Sequence, residues 1–321
     1  MTRVGTWHTQ PERGSSLGMR IMLSLYRVLG RRLVRLLLYP VVTYFFLTAG
    51  PRRRSSLEYL RRVYADPEGR SSLGRVPGLS EVFRNYLEFG ITILDRIGFY
   101  LERRERFEIT IQGEEHLDAV AKDGRGALIL GSHLGSFEAM CLLASRHSPI
   151  RVHVLMYTRH AARINALLRR LSEFDERGLQ VHVIEIHDGG VQHALSAKAA
   201  IARGEVVAIL ADRVHPGEAN RVAPVTFLGE RAQLPQGPML LGNALGCPVL
   251  FMTGLRVGER RYAVHVEAFA DTIELPRARR AEAAADYCQQ YAGRLEDYCI
   301  RAPLQWFNFY DFWDEQVSVA D

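Results

Sequence analysis

A chain of 321 residues with 47% apolar and 24% charged residues has the composition of a folded protein, with room for one large α/β domain or two small ones; disorder is excluded as the default. The net charge of +5 hides an asymmetry, because the first 62 residues hold twelve Arg against two Glu and the remainder is net acidic. Such a basic front end suits a polyanionic surface, nucleic acid or anionic lipid, and the neighbouring residues decide between them.

Residues 15–50 predict one or two helices. Within and just beyond them, residues 36–51 read LLLYPVVTYFFLTAGP, uncharged, with Arg31, Arg32 and Arg35 before and Arg52, Arg53 and Arg54 after. A bilayer span takes about 20 apolar residues, and a central proline shortens the regular helix further. No small-residue cleavage site follows, and the block starts too far from the terminus for a signal peptide. The expectation is an amphipathic or re-entrant element in the membrane interface, its arginines reaching anionic headgroups; a buried core helix and a true span are the alternatives. Nucleic acid is disfavoured, since the arginines flank an aliphatic block instead of interleaving with stacking aromatics.

Residues 55–105 predict further helices with an apolar stripe (Leu57, Leu60, Val63, then Val82, Tyr86, Phe89, Ile93, Ile97) on either side of a Pro/Gly/Ser-rich gap at 67–80. Then the texture changes. Strands are predicted at 107–113, 127–130, 152–157, 181–186, 206–210, 248–256 and 262–269, alternating with helices at 115–122, 136–146, 161–173, 191–202 and 236–245. A last helix at about 278–300 precedes APLQWFNFYDFW. Alternation of this kind predicts an α/β fold with a mostly parallel or mixed central sheet and helices on both faces. The division expected is an N-terminal helical, membrane-associating region over 1–105 and an α/β region over 106–321. Cys141, Cys247, Cys288 and Cys299 form no C-x-x-C pair, which suits reduced structural thiols and no zinc site.

Ligands of open α/β sheets gather beyond the carboxyl ends of strands. Three such exits carry titratable residues: GSHLGS after ALIL, YTRH after VHVLM, and ADRVHPGEANR after VVAIL. In the first, His133 and Glu138 are five positions apart, roughly 500° of helical rotation, so they share no face of one helix. With His133 in the strand-to-helix turn and Glu138 about a turn into the helix, the carboxylate can fold back onto the ring, fix its tautomer and prepare a general base for a hydroxyl. Arg159 suits phosphate binding through its guanidinium. Asp212 needs a partner at its strand end, which Arg213 or a main-chain N–H could supply. LPQGP at 234–238 shapes a helix start or a simple turn. His153, His182 and His265 read as hydrogen-bonded sheet histidines. Ser136 lies in no nucleophile elbow, and metalloprotease, dinucleotide and P-loop motifs are absent, so no cofactor or metal is expected.

The ordered blocks GSHLGSFE, YTRHAARINALLRRL, KAAIARGEVVAILADRV and VTFLGERAQLPQGPMLLGNALGCPVLF resemble the lysophospholipid acyltransferase superfamily, and more closely its branch of bacterial late lipid A (lauroyl/myristoyl) acyltransferases, over roughly residues 15–310. The resemblance implies an α/β/α catalytic layer behind a membrane-associating helix. It implies acyl transfer from acyl carrier protein or acyl-CoA to a hydroxyl or amine of a lipid or glycolipid, at the cytoplasmic face of the inner membrane. His133 and Glu138 match the family's His-x4-Asp/Glu dyad, Arg159 and Asn165 its Arg-x5-Asn, and Asp212 with Arg213 its acidic strand exit. One departure stands out: PLQWFNFYDFW ends aromatic and acidic where relatives carry a basic stretch. That sets beside the lipid A-like acceptor the alternative of another one, such as an aryl-polyene or pigment head group, a lysophospholipid or an amino-acid lipid, and leaves the aromatics as an acyl-channel lining or a core plug.

Overall fold

The computed structural model describes residues 16–101, 106–141, 151–156, 181–186, 191–214 and 220–313. Its centre is a seven-stranded sheet in the order β1 (Glu108–Gln112), β9 (Arg261–Ala270), β8 (Val249–Gly258), β2 (Ala127–Gly131), β5 (Val206–Leu210), β3 (Val152–Met156) and β4 (Val181–Glu185). Neighbours from β8 to β4 run parallel; β9 is antiparallel to β8, and β1 is parallel to β9. The sheet is thus α/β and mixed, as the alternating pattern predicts.

Both faces are covered, which explains why the central strands read as unbroken apolar runs. In β2, Leu128 and Leu130 join one core with Val207, Phe251, Tyr291 and Leu295, while Ala127 and Ile129 join another with Val154, Ala208, Leu250 and Val264. Among the described helices, α5 (Glu114–Asp123), α6 (Gln192–Ala202), α7 (Gly237–Leu245) and α8 (Arg280–Arg301) belong to this part of the chain. All four cysteines are buried and free.

Two elements depart from the sequence expectation. The hairpin of β6 (Val222–Phe227) and β7 (Glu230–Pro235) occupies what reads as loop. Leu228 and Gly229, both at positive φ, form its tight turn, and Ala223, Val225, Phe227, Ala232 and Leu234 point inward in strand alternation. In the gap at 67–80 sits α3 (Pro67–Leu73). Asp66 caps it by accepting from the backbone N–H of Glu68 at 2.8 Å and Gly69 at 3.0 Å, Pro67 opens it, and Gly74 closes it in the left-handed region.

The N-terminal helices are α1 (Ser16–Thr48), α2 (Gly50–Ala65) and α4 (Leu79–Leu101). Pro40 does not shorten α1; the break in it comes at Gly30, where φ is 72° and ψ 169°. Val34, Leu38 and Val42 are buried, with Val34 and Leu38 packed beside Ile91 and Leu94 of α4. Leu29, Leu33, Leu36, Tyr44 and Leu47 are exposed. No single described helix is long and apolar enough to cross a membrane; the pair Ile21–Thr48 and Gly50–Ala65 is, by length and composition, but bends by 97° between its members.

What pins α1 is ionic. Arg31, buried, donates from Nε to Asp95 of α4 at 2.6 Å and from Nη1 to Glu259 at 2.9 Å, and Tyr262 donates its hydroxyl to the other Asp95 oxygen at 2.7 Å. Replacing Asp95 with Ala strands a buried guanidinium. A loss of about 3 kcal/mol is expected, the low end of such penalties because Glu259 remains; the denaturant midpoint of the variant measures it.

Candidate active site

β2 and β5 are parallel neighbours with Gly131 opposite Leu210. The chain runs two residues past each of these positions, to His133 and to Asp212. Equal overshoot from adjacent parallel strands, spaced about 4.8 Å apart, brings the two side chains together. Asp212 Oδ1 meets His133 Nδ1 at 2.7 Å, and Oδ2 accepts from the His133 main-chain N–H at 2.9 Å. Oδ2 also accepts from the indole Nε1 of Trp306 at 3.0 Å.

The carboxylate is wholly buried, whereas 28% of the His133 side chain stays exposed. Burial by itself raises the pKa of Asp212, but the field and hydrogen bonds of His133, together with Arg213, outweigh it and hold the carboxyl at about 2. An ionised Asp212 makes Nδ1 the protonated ring nitrogen and leaves the Nε2 lone pair free. For His133, burial and the nearby Arg213 lower the pKa more than Asp212 raises it. The ring therefore stays neutral, as a base must.

The turn that carries His133 is fixed on several sides. The Gly131 carbonyl accepts from the N–H of Ala211 at 3.0 Å and from the Tyr291 hydroxyl of α8 at 2.8 Å. Gly135 has φ +74°, and a Cβ there would lie 2.2 Å from the Gly254 carbonyl oxygen, so close approach to β8 requires glycine. Ser136 donates its N–H to that same carbonyl at 2.7 Å, and its hydroxyl accepts from Ala139 at 3.3 Å where the next helix begins. Along the other side runs the segment after α8: Gln305 accepts from Gly135, and Phe307 donates to His133, each through the main chain at 2.9 Å.

Glu138 is not the carboxylate on the ring nitrogen Nδ1. It sits at the start of the helix after the turn, is buried, and forms an ion pair with Arg96 of α4. The expected fold-back onto the imidazole thus gives way to two separate pairs, His133 with Asp212 and Glu138 with Arg96. Arg213 donates to the Phe307 carbonyl at 2.9 Å and lies over the Tyr310 ring, and is not the hydrogen-bond partner of Asp212. Arg159 and Asn165 lie outside the described residues. His153 meets Glu205 at 2.7 Å and stacks on His182, and His265 packs on Tyr298. Arg96 and Trp306 are not among the residues the sequence singles out, and no local pattern marks either of them. Among the described residues no group of three or more His, Cys, Asp or Glu could hold a metal ion.

Residues 16–314 match a family model described as bacterial lipid A biosynthesis acyltransferase. The chain belongs to that family. No curated protein sequence matches it. The match to this acyltransferase family takes in the His133 turn, Asp212 and the segment holding Trp306, and it supports acyl transfer as the chemistry. A neutral imidazole anchored at Nδ1 by a buried carboxylate is equipped to take a proton from an attacking hydroxyl.

The pH dependence follows in sign. A general base acts in its neutral form and the pKa of His133 is lowered from its ordinary 6.5, so the acid limb of kcat/KM is expected at a pH below that value. Asp212→Asn removes the group that opposes the lowering, so the acid limb should move further down while kcat drops by at least about a hundredfold. A wild-type limb above 6.5 in the rate profile would overturn the lowering of the His133 pKa by burial and Arg213.

Proposed function

We propose that this protein is a membrane-associated acyltransferase that moves a fatty acyl chain from the thioester of acyl carrier protein or acyl-CoA to a hydroxyl, or an amine, of a glycolipid or lipid acceptor. The observation that carries the reading is the His133–Asp212 pair at the carboxyl ends of β2 and β5. In the reaction, His133 Nε2 accepts the acceptor hydroxyl proton as the oxygen bonds to the thioester carbonyl carbon. Collapse of the tetrahedral intermediate breaks the C–S bond, and the departing thiolate takes the proton back from the imidazolium. Glu138, held by Arg96, remains the proposed second carboxylate of the dyad, and Arg159 with Asn165 the proposed contacts to a phosphate of the donor arm or the acceptor.

The reading extends to the cytoplasmic face of the bacterial inner membrane, with the protein peripheral or monotopic. Two features support it: the exposed apolar residues of α1, and Arg32, Arg35 and the arginines at 52–54, which are exposed or half-exposed, unlike Arg31. An apolar helix face left open to water is unfavourable, whereas the bilayer interface accommodates it. For the acceptor, a lipid A precursor is the first candidate. The aromatic, acidic segment at 306–313, with Phe312 and Trp313 buried around Trp306, favours as a second reading an acceptor other than a phosphorylated disaccharide.

The test is acyl transfer from labelled acyl carrier protein or acyl-CoA into a membrane lipid extract. Wild type should label a lipid, and His133→Ala should lose at least about a hundredfold in turnover with its fold intact. Release of free fatty acid without acceptor would show a hydrolase instead. No transfer to any lipid would show an idle lipid-binding relative. Separately, the double substitution Leu33→Asp, Leu36→Asp on the exposed face of α1 is expected to weaken flotation with anionic vesicles by about tenfold or more.

A further inference from the structure

Trp306 is fully buried, and its indole N–H donates to Asp212 Oδ2 at 3.0 Å. Its ring is surrounded by Tyr59, Phe227, Phe312 and Trp313 at centroid distances of 4.8, 5.4, 5.1 and 6.2 Å. Ring contacts of this kind place no demand on the indole N–H, which needs an acceptor of its own. A main-chain carbonyl would also satisfy a buried N–H, and Trp313 in the same cluster uses one, donating to Phe227 at 3.2 Å. Trp306 instead takes a charged oxygen that already carries one of the two hydrogen bonds between Asp212 and His133.

The segment that delivers the indole is itself locked. Gln305 brackets the Arg256 peptide of β8, accepting from its N–H and donating to its carbonyl, both at 2.8 Å. Asn85 of α4 donates to the carbonyls of Leu304 at 2.8 Å and Trp306 at 3.3 Å, and Ser56 of α2 donates to Asn85 at 2.9 Å. Leu134 and Trp306 form an antiparallel bridge. The indole has little freedom to leave its acceptor.

We infer that Trp306 is a positioning residue of the acyl-transfer site, which sets the orientation and proton affinity of His133 through the second oxygen of Asp212. The inference rests on the reading of His133 as the base. An N–H donated to a carboxylate stabilises its charge and weakens its pull on other protons. With the indole in place, Asp212 holds the Nδ1 proton without drawing the ring into its charged state. Without it, Asp212 has one fewer donor, stabilises the imidazolium more strongly, and is free to rotate. His133 then titrates at higher pH and sits less often in line with the acceptor hydroxyl.

The experiment compares kcat, KM and the pH profile of acyl transfer, using the full chain and labelled acyl carrier protein or acyl-CoA with lipid extract. Trp306→Phe should lower kcat about tenfold to a hundredfold with little change in KM, and move the acid limb of kcat/KM upward, opposite to Asp212→Asn. Trp313→Phe removes an indole of the same cluster and should lower the thermal midpoint while leaving the limb where it is. Should Trp306→Phe fail to fold, incorporation of β-(3-benzothienyl)alanine at 306 keeps the ring shape and replaces only the N–H by sulfur; the same upward limb is expected. A profile that superimposes on wild type in a folded Trp306 variant overturns the inference and leaves the base assignment standing. Turnover retained by His133→Ala overturns the base assignment itself, whatever Trp306 does.

Discussion

The register between β2 and β5 is the constraint on which the site depends. A slip of one residue would separate His133 from Asp212 and turn every side chain of the slipped strand to the other face of a sheet whose two faces are both core. The hydrophobic alternation of Leu128 and Leu130 against Ala127 and Ile129 therefore specifies more than packing. It fixes where a carboxylate and an imidazole meet, without either contributing to the choice. The geometry of the candidate site is inherited from the core.

A buried carboxylate is costly unless its lone pairs are filled. Asp212 meets this with three hydrogen bonds from two distant parts of the chain, His133 and Trp306, and the same solution recurs nearby. Asp95, also buried, is filled by Arg31 and Tyr262, and the next residue, Arg96, pairs with Glu138. Consecutive residues of α4 thus reach α1 and the helix after the catalytic turn, while Asn85 of the same helix holds the segment that carries Trp306. α4 is the element to which the apolar N-terminal helix and the candidate site are both tied, through paired charges.

Much of this architecture was legible in the residues. Runs such as ALIL and VVAIL announce strands buried on both faces, and strand exits bearing His133 and Asp212 announce the functional edge. The pairing was not legible, because β5 follows β2 in space but not in sequence; local spacing drew attention to Glu138, five residues away, when the partner on Nδ1 lies 79 residues on. Glu138 itself found Arg96 on a helix whose docking no local pattern reports. The hairpin at 222–235 was masked by Pro224 and by a turn, Leu228–Gly229, lacking the usual Asn or Asp. Trp306 read as one aromatic among several, since nothing in a sequence shows where an indole N–H points.

The three groups at the centre come from segments 79 and 94 positions apart. Contacts of such separation form late, since long loops must close before any stabilisation is gained. A half-formed chain can hold an imidazole, yet it has no buried charge to orient it. Orientation of the imidazole by a buried charge is in this way reserved for the finished molecule.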